Sequence, residues 1–558
     1  MFSGGETIEL DPGSVLIIVG PNSSGKSAAL REIEAGIGSP NQNPVVQTVH
    51  QFRNGEKEDL RSWMEQHYPS RPTTNGKVFV TRRAIVHEND VQWSSVVDTG
   101  LGNVAEFLKH RLDTATRLQL GDRVGAFNVS SGEAEAYIHI LQLQESLLKE
   151  MSAEVRKAFG KDLIINRGGG GHVWFHVGDE PSRTVERDRV SPEYLEDLNQ
   201  LPQLQNEGDG LRSFVGTLLA AKCGAHPLLL IDEPEAFLHP PQARRLAGIL
   251  SRSAKELNRQ VIIATHSSDV VRGALDESDR VVICRLTRQG DVNHAIQLSS
   301  AQIKTLWAKP LLRSAAAIDG VFHEGVVVCE ADSDSRFYEA LLRRLISQQQ
   351  VTGLTDLYFI HGGGKGEIAT LASVYRQLQV PVAAVADLDL LRQQPEFEKV
   401  VSTLGGDFKQ LETQYKATVS ALNKLPRKSA KDFLNEARLI LAEIDQQNTV
   451  MPAHRKAFSQ LIADAGDWSE AKRYGIDKLR GGARQTAKGL LDACKAFGLF
   501  LVPNGELEGW WHDGPSDKGP WFSAAIEELF SNGSSFGDAS AFMAGVSDYL
   551  GRVSRGKP

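Results

Sequence analysis

The chain has 558 residues, a formal net charge of −8 and 41% hydrophobic residues, ordinary values for a globular protein large enough for two or more domains. This charge argues against a surface that is basic all over, although a local basic groove is compatible with it. The four cysteines are scattered without a C-x-x-C pair. We therefore expect neither a zinc site nor a disulfide framework, but buried thiols in a reducing cytoplasm. No apolar run reaches the roughly 18 residues of a membrane span, and no signal peptide is evident.

The first strong motif lies close to the start of the chain. The segment from Gly20 to Ser27 reads Gly-Pro-Asn-Ser-Ser-Gly-Lys-Ser and fits the phosphate-binding P-loop pattern. An apolar run precedes it and helix formers follow it, so the sequence predicts a strand, a glycine loop and a helix. Backbone N–H groups of such a loop bind phosphate oxygens. We predict that Lys26 contacts the β- and γ-phosphates of ATP and that Ser27 binds Mg²⁺. The other predicted nucleotide-binding residues of the loop are Gly20, Asn22, Ser23 and Gly25.

Two further apolar runs end in residues suited to ATP hydrolysis. Residues 228–231 are followed by Asp232 and Glu233, and a later strand is followed by His266. Strands of a parallel sheet present such residues at their carboxyl edge. We predict that Asp232 reaches Mg²⁺ through water and that Glu233 is the general base for the attacking water. His266 is predicted to contact the γ-phosphate.

A predicted helix over 211–221 leads into the acidic strand. It begins near Gly210, Arg212 and Ser213, and its N-terminus can present N–H groups to the γ-phosphate of a nucleotide held by a second subunit. Ser130–Glu133 is an alternative signature and opens a long helix predicted over 134–151. That alternative lies far upstream of the acidic strand, and its pattern also fits an ordinary helix cap. We therefore favour the later segment.

This order of motifs resembles an ABC-class ATPase head of the kind found in chromosome-maintenance and recombination-repair proteins. The resemblance covers Leu10–Arg285. It implies that two heads sandwich two ATP molecules, that Gly210, Arg212 and Ser213 act in trans, and that His266 is the switch histidine. The segment around Gly210 departs from the family signature, which is Leu-Ser-Gly-Gly-Glu. The chain has no long heptad arms, which excludes a structural-maintenance coiled coil.

The second half alternates predicted strands and helices, which indicates a parallel α/β sheet. Glu330 follows one strand, and Asp387 and Asp389 follow another. Because sites form at the carboxyl ends of parallel strands, we expect these residues to share a crevice. Asp334, one helical turn past Glu330, is expected to face the same crevice. Four crowded carboxylates require cations, and oxygen ligands favour Mg²⁺ or Mn²⁺. Such a cluster suits metal-assisted phosphodiester hydrolysis.

This strand and acid pattern resembles a Toprim domain, the fold shared by certain nucleases, primases and topoisomerases. The resemblance is clearest over 325–391. It implies that Glu330 is the leading acid and that the Asp-x-Asp segment supplies the metal pair. The first motif reads Glu-Ala-Asp-Ser-Asp where Glu-Gly is usual. Asp332 and Asp334 therefore compete for the second acidic role, and the spacing favours Asp334.

The predicted architecture is α/β throughout. It comprises an ABC-type P-loop ATPase domain over 1–300, a connector over 301–322 and a Toprim domain over 323–558. Residues 392–475 have a helical pattern and are predicted to form an insertion in the Toprim domain. Helices are predicted within the insertion over 408–422, 429–444 and 453–465.

An ATPase head followed by a Toprim domain resembles the OLD (overcoming lysogenization defect) family, which includes the nuclease subunit of the Gabija antiviral system and retron-associated effectors. The resemblance covers most of the chain. It implies a metal-dependent DNA nuclease, often of bacterial phage defence, that uses ATP with Mg²⁺, and Mg²⁺ or Mn²⁺ at the nuclease site. A distal lysine assists in that family, and we predict Lys488 in this role with Lys478 as second choice. The implied partners are DNA or RNA, a second copy bound through the ATPase heads, and a defence protein or retron RNA–DNA complex.

Two other functions remain open from the sequence. One is a Toprim ribonuclease, for example one that cuts transfer RNA. The other is an ATP-gated nucleic-acid-binding protein with an inactive Toprim domain. The motifs alone do not separate these alternatives from a DNA nuclease, because the same carboxylates and P-loop are expected in all three.

Overall fold

A computed structural model of the protein describes most of the chain. The residues outside the description are 39–42, 51–56, 69, 74–75, 81–84, 89–103, 128–133, 185–187, 299–315, 426–428, 448, 465–467, 516–517, 532–533 and 557–558. The chain divides into two compact units, Met1–Ala308 and Lys309–Pro558. The alternative signature at Ser130–Glu133 lies outside the described residues, as does the predicted connector up to residue 315.

The first unit contains a large, mostly parallel sheet. The strands of the unit are β1 (Val15–Val19), β2 (Ser70–Thr73), β3 (Gly76–Val80), β4 (Ile85–His87), β5 (Lys109–Leu112), β6 (Val124–Gly125), β7 (Asp162–Asn166), β8 (His172–Gly178), β9 (Leu228–Asp232), β10 (Gln260–Ala264), β11 (Val281–Gln289) and β12 (Val292–Leu298). Six of them form the main sheet in the order β12–β11–β1–β10–β9–β5, in which only the β11–β12 pairing is antiparallel.

The P-loop strand lies in the middle of this sheet. β1 is buried along its whole length and pairs with β10 and β11, with Val15 opposite both Val261 and Val281. β10 pairs in turn with β9, with Ala264 opposite Asp232. Parallel strands covered on both faces have continuous apolar sequences, which explains the runs that predicted β1, β9 and β10. The carboxyl ends of these three strands therefore meet at one edge.

The first unit also contains helices, several of which pack against its main sheet. They are α1 (Lys26–Gly38), α2 (Lys57–His67), α3 (Ala105–Leu108), α4 (Thr114–Gln119), α5 (Tyr137–Leu143), α6 (Glu145–Phe159), α7 (Pro192–Gln200), α8 (Asp209–Cys223), α9 (Pro240–Glu256) and α10 (Ser268–Glu277). α8 extends the predicted helix over 211–221 by two residues at each end. It packs against α4 at Gly216, where a Cβ would approach the carbonyl oxygen of Arg117 to 1.9 Å.

The single helix predicted over 134–151 is wrong. The structure has two helices there, α5 and α6, separated at Gln144. Gln144 has φ −119° and ψ 81°, which lie outside the helical region. α5 buries Leu141 and α6 buries Leu148, one heptad later. Because the apolar spacing continues across Gln144, the sequence pattern gives no sign of the break.

The second unit contains a parallel sheet of four strands in the order β14–β13–β15–β16. The strands are β13 (Gly325–Cys329), β14 (Leu357–His361), β15 (Val382–Ala386) and β16 (Leu499–Leu501). β13 and β15 are adjacent and buried along their whole length. Their carboxyl ends, which precede Glu330 and Asp387, therefore lie side by side.

The helices of the second unit include those of the predicted insertion. They are α11 (Asp332–Ser347), α12 (Lys365–Gln377), α13 (Gln394–Leu404), α14 (Phe408–Asn423), α15 (Ala430–Gln447), α16 (Pro452–Asp464), α17 (Ser469–Tyr474), α18 (Gly481–Lys495), α19 (Lys518–Ser531) and α20 (Gly537–Ser554). α14, α15 and α16 correspond to the three helices predicted within 392–475. Within the described ranges, no helix combines the length and the apolarity that a bilayer crossing needs.

Candidate nucleotide and metal sites

The loop between β1 and α1 has the backbone shape of a phosphate cradle. Gly20 has φ 144° and Gly25 has φ 96°, values that favour glycine. A Cβ on Gly20 would lie 2.1 Å from the carbonyl oxygen of Leu286 on β11, so the loop passes too close to that strand for any other residue. Asn22 and Ser23 lie exposed at the loop. The geometry leaves them open to a nucleotide phosphate chain.

Lys26 is buried beneath this loop and folds back onto it. Its Nζ donates hydrogen bonds to the carbonyl oxygens of Gly20 and Pro21, each at 2.8 Å. Burial lowers the pKa of Lys26 to about 8, although the charges of Glu233 and Asp232 oppose this shift. Phosphate oxygens are stronger acceptors for an ammonium than backbone carbonyls. ATP would therefore replace the loop carbonyls as the partner of Lys26.

The two predicted Mg²⁺ ligands of the first unit are in direct contact. Ser27 Oγ donates a hydrogen bond of 3.0 Å to Asp232 Oδ1, although 205 positions separate the residues in the chain. Ser27 comes from the start of α1 and Asp232 from the end of β9. A hydroxyl and a carboxylate held together at a P-loop are oxygen ligands that would suit a Mg²⁺ ion bound with ATP.

Glu233 sits in a strained turn directly after β9. Its φ is 47°, a left-handed value unusual for a residue other than glycine. Its backbone N–H donates to the carbonyl of Ala264 at 2.8 Å, and its side chain is half-exposed. His266 Nε2 lies 3.8 Å from Glu233 Oε1. Burial and then the nearby charge of Lys26 lower the pKa of His266, which favours the neutral ring beside this carboxylate.

Glu235 is a residue of this site that sequence reasoning missed. Its Oε1 accepts hydrogen bonds from Thr265 Oγ1 at 2.7 Å and from the backbone N–H of His266 at 2.8 Å. Burial raises the pKa of Glu235, although these hydrogen bonds oppose the shift. Glu235 thus ties the loop after β9 to the loop after β10. The only sequence signal was a second acid two positions after Glu233.

The residues predicted to act in trans have their side chains turned into their own chain. Ser213 is fully buried and its Oγ accepts a hydrogen bond from Arg117 Nε at 3.1 Å. Arg212 pairs with Asp209 at 3.2 Å. The Ser213 hydroxyl is therefore engaged inside its own chain, and an action in trans by this segment stays a prediction that depends on the backbone N–H groups at the start of α8. Gly210 lies in the first turn of α8 and remains partly exposed.

In the second unit, the structure brings together three of the four predicted carboxylates. Ligand oxygens of Glu330, Asp387 and Asp389 all lie within 4.8 Å of one another. We call these three residues the acidic trio. Glu330 follows β13, and the Asp-x-Asp segment follows β15 and enters a short 3-10 helix over Leu388–Arg392. The trio therefore lies at the carboxyl edge of two adjacent parallel strands.

The fourth predicted carboxylate, Asp334, has a different role. Its side chain is almost fully buried, and its Oδ2 accepts a hydrogen bond of 3.0 Å from the backbone N–H of Ala331 at the start of α11. Asp334 thus caps a helix and is not one of the three residues whose oxygens converge. The alternative, Asp332, pairs with Arg336 at 2.9 Å on the surface. Asp334 therefore lies outside the group of converging oxygens, and a role for it as a metal ligand stays a prediction.

Two lysines contact Asp389, and neither was predicted. Lys365, the first residue of α12, forms an ion pair with Asp389 Oδ1, and Lys472 of α17 lies 3.0 Å from Oδ2. Lys488 is exposed on α18, and Lys478 pairs with Glu470 at 3.0 Å. The assisting role of Lys488 or Lys478 therefore stays a prediction, while the contacts with Asp389 come from Lys365 and Lys472. Lys365 follows the glycine turn after β14, which was the signal available in the sequence.

The electrostatics of the trio depend on these lysines. Burial raises the pKa of Asp387 well above its ordinary range, and the charges of Asp334 and Glu330 add to the effect. Burial also opposes ionisation of Asp389, but the hydrogen bond and charge of Lys365, with those of Lys472, outweigh it and lower its pKa. The lysines thus favour the charged form of Asp389, whereas burial and neighbouring acids disfavour the charged form of Asp387.

Family models match both halves of the chain. Residues 107–272 match "AAA domain, putative AbiEii toxin, Type IV TA system", and residues 321–389 match "Overcoming lysogenization defect protein-like, TOPRIM domain". The chain has the ATPase–Toprim architecture of the OLD nucleases. The first unit therefore contains an ATPase domain and the second a Toprim domain, and the overall fold class is α/β as predicted.

Individual relatives each match a part of the chain. Protein ea59 of Escherichia phage lambda is 31% identical over 94 residues, 17% of this chain. The molybdenum import ATP-binding protein ModC of Aliivibrio fischeri is 25% identical over 209 residues, 37% of this chain. The matches span 18% and 49% of the length of these two relatives. The solved SMC head domain from Thermotoga maritima is 13% identical, with a TM-score of 0.26 over 52% of this chain and 92% of that one.

The residues of the Toprim domain fit a divalent metal ion. The trio supplies oxygen donors within 4.8 Å of one another, and Asp387 is buried beside the acids Asp334 and Glu330, whose charges raise its pKa. Hard oxygen ligands of this kind prefer Mg²⁺ or Mn²⁺. Glu330, Asp387 and Asp389 would hold such an ion, which would activate a water molecule and stabilise a leaving oxygen.

Lys472 is expected to compete with the metal ion for Asp389. Because Lys472→Met removes a positive charge beside the trio, we expect the Kd for Mn²⁺ to fall roughly tenfold, equivalent to about 1.4 kcal/mol of repulsion. Titration of Mn²⁺ followed by electron paramagnetic resonance measures this directly. Lys488→Met is the matched control, since Lys488 is exposed. An unchanged Kd in Lys472→Met, or an equal change in Lys488→Met, would refute the competition.

Proposed function

We propose that the protein is a divalent-metal-dependent DNA endonuclease of the OLD type whose ATPase domain binds and hydrolyses ATP. The observation that carries the proposal is the acidic trio, whose oxygens lie within 4.8 Å of one another at the carboxyl edge of the Toprim sheet. Phosphodiester hydrolysis needs an activated water and a stabilised leaving oxygen, and a metal ion bound by carboxylates provides both. Lys365 and Lys472 are positioned beside the trio, where a cation can contact a phosphate of the substrate.

ATP hydrolysis is proposed on the geometry of the first unit. Lys26, Ser27, Asp232 and Glu233 converge where β1 and β9 end. This supplies a phosphate-binding lysine, two Mg²⁺ ligands and a carboxylate for the attacking water. We further propose that two copies pair through their ATPase domains, with the N-terminus of α8 facing the nucleotide of the partner.

A role in bacterial phage defence is part of the proposal and rests on the family resemblance alone. It predicts that cells expressing the protein reduce phage plating and that Glu330→Gln abolishes the protection. A defence partner protein or a retron RNA–DNA complex would be required for protection if the chain acts within a larger system. Equal plating on cells with and without the active protein and its neighbouring genes would remove this part of the proposal.

The experiment that tests the proposed chemistry compares substrates and metals. Purified protein is incubated with plasmid DNA and with transfer RNA, in Mg²⁺, Mn²⁺ or EDTA. We expect DNA cleavage that needs the metal and is lost in Glu330→Gln. Glu339→Gln is the matched control, because Glu339 lies on the exposed side of α11 in an ion pair with Arg343. Cleavage of transfer RNA alone would indicate a ribonuclease. No cleavage by a protein that still binds ATP would indicate a non-catalytic binder.

A further inference from the structure

Arg117 is a fully buried arginine at the end of α4, within the ATPase domain. Its guanidinium donates hydrogen bonds in several directions. The acceptors are Leu112 O at 3.2 Å, Thr114 Oγ1 at 3.4 Å, Ser213 Oγ at 3.1 Å, Asp232 O, and Glu233 O at 3.0 Å. All five acceptors are carbonyl or hydroxyl oxygens. The planar fork of arginine thus connects β5, α4, α8 and the end of β9 through one side chain.

Burying this cation costs free energy. Burial lowers the pKa of Arg117, although the charges of Glu235, Asp232 and Asp113 oppose the shift. A buried guanidinium whose hydrogen bonds go to neutral oxygens is stabilised less than one in a direct ion pair. Packing alone could be achieved at lower cost by an apolar side chain of similar volume. The arrangement therefore indicates a requirement for the hydrogen bonds themselves.

The two carbonyls that Arg117 holds belong to the turn that carries the general base. Glu233 has φ 47°, a left-handed conformation that is strained for a residue with a side chain. The backbone N–H of Glu233 donates a hydrogen bond to the carbonyl oxygen of Ala264. The carbonyl oxygens of Asp232 and Glu233, on either side of that N–H, accept hydrogen bonds from Arg117. The backbone of the turn is thus fixed from two sides while the Glu233 side chain remains half-exposed.

We propose that Arg117 is a positioning residue for ATP hydrolysis, holding the Asp232–Glu233 turn so that the Glu233 carboxylate is aimed at the attacking water. This inference rests on the proposed ATPase function. Arg117 does not contact the nucleotide site with an exposed atom and acts through Glu233. A displacement of the carboxylate by about 1 Å can cost on the order of 10²-fold in rate, so the fixed turn has a large effect on catalysis.

The same side chain links this turn to helix α8. Arg117 Nε binds Ser213 Oγ in the first turns of α8, and the carbonyl oxygen of Arg117 lies against Gly216 of the same helix, where a Cβ would come within 1.9 Å. α4 and α8 are therefore in close contact at two points. The N-terminus of α8 is proposed to face the partner's nucleotide. A change at α8 when two ATPase domains pair would therefore be transmitted to Glu233 through Arg117.

The test replaces Arg117 by lysine, which keeps the charge but loses the planar fork. We expect kcat for ATP hydrolysis to fall about 10²-fold, while the Kd for a fluorescent ATP analogue changes less than threefold. Arg259→Lys is the matched control. Arg259 is also a buried arginine of this unit, and it donates to Ala220 O at 3.3 Å and Gly224 O at 2.6 Å, at the other end of α8. We expect Arg259→Lys to lower thermal stability but to leave kcat within threefold.

A double-mutant cycle tests whether Arg117 acts through Glu233. Arg117→Lys combined with Glu233→Gln should hydrolyse ATP no more slowly than Glu233→Gln alone, within about twofold. The proposal would be overturned if the losses in the double mutant multiplied, if Arg259→Lys lost as much activity, or if a lower affinity for ATP accounted for the lower rate.

If Arg117→Lys does not fold, Ser213→Ala replaces it in the test. This variant removes a single acceptor of Arg117 and should lower kcat several-fold at constant Kd for ATP, and an unchanged kcat would overturn the proposal. An inactive wild-type protein would instead refute the ATPase function itself.

Discussion

Asp387→Asn is expected to lower the rate of DNA cleavage roughly 10²–10³-fold, because loss of a metal ligand removes several kcal/mol of transition-state stabilisation. Asparagine has nearly the same shape but carries no negative charge, so it weakens the metal ion's hold on the trio. Plasmid nicking in Mg²⁺ and in Mn²⁺ measures the effect. Of the three acids, Asp387 gives the clearest test. A substitution of Asp389 would also remove the ion-pair partner of Lys365 and Lys472, and that second change would itself affect the cleavage rate.

The same substitution should not unfold the protein. Burial and neighbouring acids raise the pKa of Asp387, so this carboxyl costs stability in the metal-free fold; the cost begins above the unfolded-state pKa and grows until the pH passes the folded-state pKa. Asp387→Asn removes this cost, and we expect an unchanged or higher melting temperature in EDTA. Asp356→Asn is the matched control, because Asp356 precedes β14 at the opposite edge of the sheet and pairs with His323. Full cleavage by Asp387→Asn, or equal loss in the control, would contradict the assignment.

Glu233→Gln is expected to lower kcat for ATP hydrolysis on the order of 10²–10⁴-fold, the usual contribution of a general base. Glutamine cannot accept the proton of the attacking water, while Lys26, Ser27 and Asp232 still bind ATP and Mg²⁺. We therefore expect the Kd for ATP to stay within a few-fold of the wild-type value. Phosphate release and equilibrium binding of a fluorescent ATP analogue separate the two quantities.

The control for this prediction is Glu256→Gln at the end of α9, where Glu256 pairs with Lys222 at 3.2 Å away from the P-loop. It should leave hydrolysis and binding unchanged. Rapid hydrolysis by Glu233→Gln would show that another group is the base. DNA cleavage by the ATP-bound Glu233→Gln protein then tests whether the ATPase domain controls the nuclease. Cleavage that is insensitive to ATP in both proteins would show that it does not.

The features that could be predicted from the sequence are those encoded locally. The strand, P-loop and helix around Lys26 follow from contiguous residues, and the buried parallel strands are visible as apolar runs. The rule that sites form at carboxyl strand ends then placed Glu330 beside Asp387 and Asp389 without knowledge of the strand order. The acidic trio was therefore predictable because adjacent parallel strands place their ends side by side.

The features that could not be predicted depend on contacts between distant residues. Lys472 lies near the C-terminal end of the predicted helical insertion, and its side chain contacts Asp389. The spacing along the chain gave no indication of this contact. Ser213 was predicted to act in trans at the N-terminus of a helix, and nothing in the sequence indicated that Arg117, 96 positions earlier, binds its hydroxyl in the interior. The break at Gln144 is likewise a tertiary effect, since both helices share one apolar spacing.

The central claim is that Glu330, Asp387 and Asp389 together hold a divalent metal ion. Anomalous diffraction from crystals soaked in Mn²⁺ tests it most directly, because it locates the ion without reference to activity. We expect an anomalous peak within coordination distance, about 2.0–2.3 Å, of an oxygen from each of the three residues, and no such peak in Asp387→Asn. A Mn²⁺-saturated crystal with no peak at the trio, or with the ion bound elsewhere in the Toprim domain, would contradict the account.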